Sequence, residues 1–429
     1  MLTRIDLRGV DRDVRSRLPR PHDRETAPID AVREILAEVR KRGDAAVREY
    51  TQRFDGVALE DLRVEPPALA AALRATPPDV REALEVAKAN ITAFHHTQVR
   101  GDGRHDRDGL VVQELRRAVD RAGLYVPGGR ARYPSTVLMT AIPARVAGVE
   151  QLVLCVPPDA NGHVAPVTLA AAALAGVDEV YGIGGAQAVA AMAYGTESIP
   201  AVDVIVGPGN VWVATAKREV AAEGAVGVPS AFTGPSEVVV VADETTPPAL
   251  AAIDLIVQAE HGPDGLAWLV TWSAATADAV TAEVARRVTA SPRRADIEST
   301  LTGNGYAVVV DGPEQAMTVA NLIAPEHLQL MSADPQALVP LVRNAGAVFC
   351  GPYAPASVGD YVAGPSHVLP TFGSARFASA LRVDDFLKQI HVVTVDEGAL
   401  ARLAPHVAAI AEAEGLVHHA ESVRLRSER

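Results

Sequence analysis

Four places in the sequence set an acid beside or near an imidazole. They are Glu260-His261, Glu326-His327, Asp360 with His367, and Glu414 with His419, and seven of the 12 histidines lie past residue 260. An imidazole titrates near neutrality and a carboxylate well below it, so each set offers two bases of different strength. Ala324-Pro325-Glu326-His327 is suited to taking a proton first from a hydroxyl and then from water; a capped turn is the plain alternative. Gln258 and His261 stand three apart. On a helix their side chains leave one face with Cβ atoms about 5–6 Å apart, which suits two donors on one ion. A solvated Glu-His pair at a helix end would explain the same residues taken alone. Gly359-Asp360-Tyr361 and Pro365-Ser366-His367 are expected to share one loop. An Asp oxygen, a His nitrogen and an amide oxygen form a donor set compatible with Zn²⁺, and also with Mn²⁺ or Co²⁺. The two cysteines, Cys155 and Cys350, cannot make a structural zinc quartet, so a metal here would be catalytic or substrate-positioning.

Gly182-Ile183-Gly184-Gly185-Ala186-Gln187 and Gly207-Pro208-Gly209-Asn210 each lead from a strand-like run into a helical one. Backbone amides at such a helix N-terminus can approach a phosphate. Neither is a full G-x-G-x-x-G with its acidic partner, and plain strand-to-helix turns explain them equally well. Gly234-Pro235-Ser236-Glu237 offers a hydroxyl and a carboxylate at a predicted junction, or simply a turn entering a strand.

The elements that must position these groups follow from hydrophobic period. Residues 1–25 read as a polar N-terminal arm, and 26–121 as a helical region expected to pack on the second of two lobes. Apolar runs at Leu152–Val156, Glu179–Ile183 and Val202–Val206 alternate with alanine-rich helical stretches, the pattern of βαβ units. The pattern repeats from Val238, predicting a first α/β lobe over 122–236 and a second over 237–380. The helix carrying Gln258 is predicted over 247–261. The segment 381–429 reads as a C-terminal helix and polar tail. The fold class is therefore α/β, with two successive Rossmann-like lobes, a helical N-terminal region and a small C-terminal tail.

A chain of 429 residues with 48% hydrophobic residues has ample material for such cores, and a formal charge of −13 offers no nucleic-acid footprint. No apolar run reaches membrane-spanning length, and two unpaired thiols suit a reducing cytoplasm.

The ordered motifs resemble bacterial histidinol dehydrogenases across nearly the whole chain. They are Tyr125-Val126-Pro127-Gly128-Gly129, Gly184-Gly185-Ala186-Gln187, Gly207-Pro208-Gly209-Asn210, Gly234-Pro235-Ser236-Glu237, Gln258-Ala259-Glu260-His261-Gly262-Pro263, Ala324-Pro325-Glu326-His327, Gly359-Asp360-Tyr361, His367-Val368-Leu369-Pro370-Thr371, and Ala413-Glu414-Gly415-Leu416 with His419. The resemblance implies oxidation of L-histidinol to L-histidine with two NAD⁺ and one Zn²⁺ per subunit. It makes Gln258, His261, Asp360 and His419 the metal ligands and Glu326 and His327 the proton-transfer pair. Ser236, His367 and Glu414 would contact substrate together with the ligands and His327, and Tyr125, Gln187 and Asn210 would contact NAD. It also implies a homodimer whose C-terminal tail reaches the partner's site. The chain departs from the family pattern at 227–233, which is longer and lacks an aspartate, at Thr233 in place of alanine, and at Ser366 in place of asparagine. A metal-dependent hydrolase using Glu326 on water, or a two-lobed protein that binds a small amine, would share many of these residues but would make no NADH.

Overall fold

The computed structural model describes residues 1–10, 12–19, 28–128, 132–229, 234, 236–260, 262 and 265–427. The chain divides into two compact units: Met1–Gln98 with Asp120–Phe386, and Val99–Val119 with Leu387–Arg429.

In the first unit, the short apolar runs become parallel strands buried on both faces, the environment that selects Val, Leu and Ile without alternation. One sheet has the order Glu179–Tyr181, Gln151–Cys155, Arg121–Tyr125, Val204–Val206, every pair parallel. In chain order this is 3-2-1-4. The other sheet runs Thr3–Asp6, Gly305–Val309, Leu266–Thr271, Glu237–Ala242, His327–Met331, Ala347–Cys350, again all parallel. Apart from its first edge strand it starts with the same 3-2-1-4 order. These are two Rossmann-like lobes in succession. The crossover helices Pro134–Ala147, Pro166–Ala175, Pro248–Ala259 and Pro313–Ile323 each begin on proline, whose fixed φ suits a first helical turn.

Four expectations change. The polar arm begins with the strand Thr3–Asp6, which pairs with Gly305–Val309 and closes one edge of the second sheet; Arg20–Ala27 lie outside the described residues. The helices Ile29–Arg42 and Asp44–Asp55 pack on the first lobe, not the second. Val32, Ile35, Val39, Val47 and Tyr50 share a core with Val153, Tyr181, Val189 and Val213. A helical period marks an apolar face but not its partner. The region 26–121 is also not helical throughout, since residues 103–107 and 110–118 are strands. Finally, Asp360 lies on a short helix, Ala356–Tyr361, rather than in a loop.

The second unit is a three-stranded antiparallel sheet, ordered Leu387–Val395, Leu110–Ala118, Gly103–Arg107. Two helices follow, Glu397–Ala413 and Val417–Ser427. Ala408, Ala411 and Ala420 form their common core, with Val423 against it, so the polar tail does have a small apolar face.

Candidate active site

The second lobe gathers its polar groups at the N-terminal ends of its strands. The helix Pro313–Ile323 ends on Ala324, a buried alanine held at φ 56 in the left-handed region. That turn and Pro325 deliver Glu326 and His327 to the start of a central strand. Register places His327 opposite Val238, so Glu326 falls beside Glu237. There the Glu326 Oε2 accepts the Glu237 backbone N–H at 3.0 Å. Gly346 is required on the other side: a Cβ there would come within 2.6 Å of the Glu326 carbonyl oxygen.

His327 is 4% exposed. Its Nδ1 lies 3.1 Å from the Glu237 carbonyl oxygen, an atom that only accepts, so Nδ1 carries a proton. Nε2 then faces Asp360 Oδ1 at 3.4 Å, and the ring lies near-parallel to Phe349. Burial works against the charged imidazolium, but Glu326 and Asp360 outweigh it and push His327 up to about 10. His367 Nδ1 donates to the Asp360 carbonyl at 2.8 Å. Its Nε2 meets the Thr136 hydroxyl at 3.0 Å, and burial holds its pKa down. The acid–imidazole set Asp360–His367 therefore works through a main-chain oxygen. Ser366, one of the departures from the family pattern, donates to the Met139 carbonyl at 3.1 Å.

In a βαβ unit the crossover helix runs back against the strands, so its C-terminus arrives at their N-terminal edge. Gln258 lies in the last turn of Pro248–Ala259 at 1% exposure, with neither amide atom hydrogen-bonded. One turn earlier, Asp254 is also buried with Oδ2 unpartnered, and burial raises it to about 6. Ser236 lies just ahead of its strand; its carbonyl accepts from Leu266 N–H. His261 lies outside the described residues. Glu414 and His419 belong to the second unit, where both are exposed, Glu414 capping Glu397–Ala413 and His419 on Val417–Ser427.

The first lobe presents the opposite edge. A cavity of about 810 Å³ opens at the C-terminal ends of its strands, with Tyr125, Gln187 and Asn210 all on its wall. Asn210 caps the helix Val211–Ala222 by accepting from the N–H groups of Trp212 and Val213, both at 3.1 Å. The Tyr125 hydroxyl accepts from Gly185 N–H at 3.1 Å. The Gln187 amide is fully buried without a partner. Strands 1 and 4 of this sheet are neighbours, so the loops after Tyr125 and Val206 leave the sheet in the crevice where a doubly wound fold binds its ligand.

A family model described as histidinol dehydrogenase matches residues 18–427. A histidinol dehydrogenase of Synechococcus sp. is 49% identical over 413 residues, covering 95% of this chain and 94% of its own length. One from Moorella thermoacetica is 48% identical, with 92% and 94% covered. The crystal structure of histidinol dehydrogenase from Elizabethkingia anophelis superposes with a TM-score of 0.94 at 33% identity, covering 100% of this chain and 98% of that one. The chain belongs to the histidinol dehydrogenase family. It is thereby an NAD-dependent oxidoreductase of mixed α/β fold.

Within that family frame, two groups stand at the site beyond those expected. Glu237 was legible as part of Gly234-Pro235-Ser236-Glu237 but not as the neighbour of Glu326. Thr136, 231 positions before His367, carries no sequence signal at all. Among the described residues no group of three or more His, Cys, Asp or Glu could hold a metal. The unpartnered Gln258 amide still fits one: a helix C-terminus carries partial negative charge, and a buried carbonyl oxygen without a donor is a hard ligand waiting for a cation. Of the stretch 227–233, Gly227 bridges to Val204, and 230–233 lie outside the described residues. No helix among the described residues is long and apolar enough to cross a membrane.

Proposed function

We propose that this chain oxidises L-histidinol through L-histidinal to L-histidine, the closing step of histidine synthesis, with reduction of two NAD⁺. The carrying observation is the contiguous set Glu237, Glu326 and His327, buried at the N-terminal ends of two neighbouring strands, with half-buried Asp360 facing His327 from a short helix. The alcohol loses a proton to a base and a hydride to NAD⁺, giving the aldehyde and NADH. The hydrated aldehyde then loses a second hydride to NAD⁺ and two protons, one in hydride transfer and one on ionisation of the acid, giving the carboxylate and a second NADH.

In the first oxidation His327 takes the hydroxyl proton at Nε2 in its neutral form, which a cation held by Asp360 would favour by offsetting the charge that raises the imidazole. The ring is fixed by the Nδ1 contact to the Glu237 carbonyl. In the second, Glu326 draws a proton from water as it adds to the aldehyde, and His327 again takes the hydroxyl proton. Ser236, His367 and Glu414 orient the substrate. Tyr125, Gln187 and Asn210 hold NAD in the first-lobe cavity, where the helix N-termini suit its diphosphate. Gln258, His261, Asp360 and His419 would hold one Zn²⁺, which when bound would grip the amine and imidazole of histidinol and fix the carbon for hydride transfer. Glu414 and His419 come from a second copy of the chain in a homodimer. Two free thiols, Cys155 and Cys350, suit work in a reducing cytoplasm.

The test is stoichiometric. Zinc-loaded protein given limiting histidinol and excess NAD⁺ should yield about two NADH per substrate, as a four-electron oxidation requires. One NADH per substrate would refute the second oxidation. None would return the site to the hydrolase or amine-binding readings.

A further inference from the structure

The wall of the first-lobe cavity includes a carboxylate to which the reading above gives no task. Asp55 is the last residue of the helix Asp44–Asp55 and lines the cavity with Tyr125, Gln187 and Asn210. Its Oδ2 is buried without a hydrogen-bond partner, burial raises its pKa, and its charge is felt at the Tyr125 phenol. The position is unfavourable twice. A carboxylate at a helix C-terminus meets the negative end of the dipole, and a buried acceptor without a donor forfeits a hydrogen bond.

A dinucleotide fold usually takes its ribose-binding acid from the end of its second strand. Here that strand, Gln151–Cys155, is followed by Val156-Pro157-Pro158 and Asp159. Asp159 also lines the cavity, but its Oδ1 is committed to the loop, accepting from Asn161 N–H at 2.9 Å and His163 N–H at 3.0 Å, which lowers its pKa. Beside Asp55 the wall is aromatic. Phe54 and Trp212 are 49% and 37% exposed with ring centroids 6.4 Å apart, a surface that fits the face of a base.

We propose that Asp55 is the residue that selects NAD over NADP, by accepting hydrogen bonds from the vicinal hydroxyls of the adenosine ribose, with the adenine against Phe54 and Trp212. A carboxylate has two oxygens for two hydroxyl donors, and it repels a 2′-phosphate. Where the acid after the second strand gives one oxygen to its own loop, Asp55 brings a carboxylate with an unpartnered oxygen to the same wall from the N-terminal helical region. Arg132, on the same wall, is then left for the diphosphate. The inference rests on the reading of this cavity as the dinucleotide site.

The experiment compares wild type with Asp55→Asn and Asp55→Ala as full-length, zinc-loaded protein. kcat/KM is measured for NAD⁺ and NADP⁺ with histidinol, and the melting temperature without cofactor. In Asp55→Asn the preference for NAD⁺ should fall about 10–100-fold, the value of a charge-assisted hydrogen bond. The loss should appear in KM for NAD⁺ and not in KM for histidinol. The melting temperature should hold or rise, because an unpartnered carboxylate has been removed. An unchanged preference overturns the assignment. So does an equal loss toward both cofactors with lowered melting, which marks a structural residue, or a gain in preference, which would place a 2′-phosphate on Arg132. If wild type makes no NADH from histidinol, the functional reading fails by itself. Direct titration of NADH and NADPH fluorescence on both proteins then decides Asp55, and binding of neither overturns it.

Discussion

At the scale of single residues, the site depends on two carboxyl groups that cannot both be charged cheaply. Glu237 is 3% exposed and stands beside Glu326. Burial first, then the Glu326 charge, pushes it up to about 8, while the Phe372 N–H it accepts at 2.9 Å only partly offsets this. A neutral Glu237 removes a second negative charge from beside Glu326, the carboxyl group to which the proposed reaction gives the role of base. The consequence for stability has a definite sign. Between the ordinary glutamate value of 4.5 and about 8, the native state keeps a proton that the unfolded chain has lost, so stability falls as pH rises through that window. Glu237→Gln mimics the neutral form and keeps an acceptor for Phe372. Chemical denaturation from about pH 5 to 8 should show a flatter decline than wild type, with the variant ahead at the upper end. An identical slope would show that Glu237 does not hold its proton. Glu326→Gln should instead keep its fold and lose about 10²–10⁴-fold in rate, the usual cost of a missing base; near-normal turnover in that variant removes Glu326 from the proton path.

At the scale of elements, the first lobe's crevice depends on how closely two loops approach. Gly207 holds φ 106, and a Cβ there would collide with the Tyr125 carbonyl oxygen. The Lys217 ammonium, fully buried on the helix that follows, donates back to the Gly207 carbonyl. Gly207→Ala should therefore cost about 1–3 kcal/mol in stability, the range for a side chain forced into a forbidden backbone region. Because Tyr125 moves with it, KM for NAD⁺ should rise while histidinol binding is spared, as read by steady-state kinetics beside a thermal melt. A variant that melts and binds NAD⁺ like wild type would show that the turn has room. This turn also marks how far sequence could reach. Gly207-Pro208-Gly209-Asn210 was visible as a strand-to-helix turn, and the alternating apolar runs gave both lobes, because buried parallel strands leave a local signal. The strands at 103–107 and 110–118 were not legible: the first is polar and exposed, and the second is half-buried and pairs with Leu387–Val395, far along the chain. Glu326-His327 could be read as a pair, but its neighbours Glu237 and Thr136 depend on register and crossover, which no local pattern encodes.

At the scale of the molecule, the two lobes share a strand order but offer opposite edges. The first lobe uses strand C-termini and helix N-termini, which favour an anion such as a diphosphate. The second uses strand N-termini and the end of the helix bearing Gln258, which favour a cation. A dinucleotide and a metal-held amine would thus be drawn to different edges of one fold repeated. What the first unit does not contain is Glu414 or His419, which lie exposed on the second unit. If each site is completed by the other copy of a homodimer, the arrangement can be read by mixing lesions. His419→Asn and His327→Asn chains should each be nearly inactive as homodimers. In a mixed dimer, the body with intact His327 receives the tail with intact His419, so one site is whole and the other carries both lesions. Random pairing makes about half the dimers mixed, so co-expression should restore roughly a quarter of wild-type activity. If His419 served its own chain, every site would keep one lesion. A verified heterodimer that stayed at the level of the single variants would show that each chain builds its site alone.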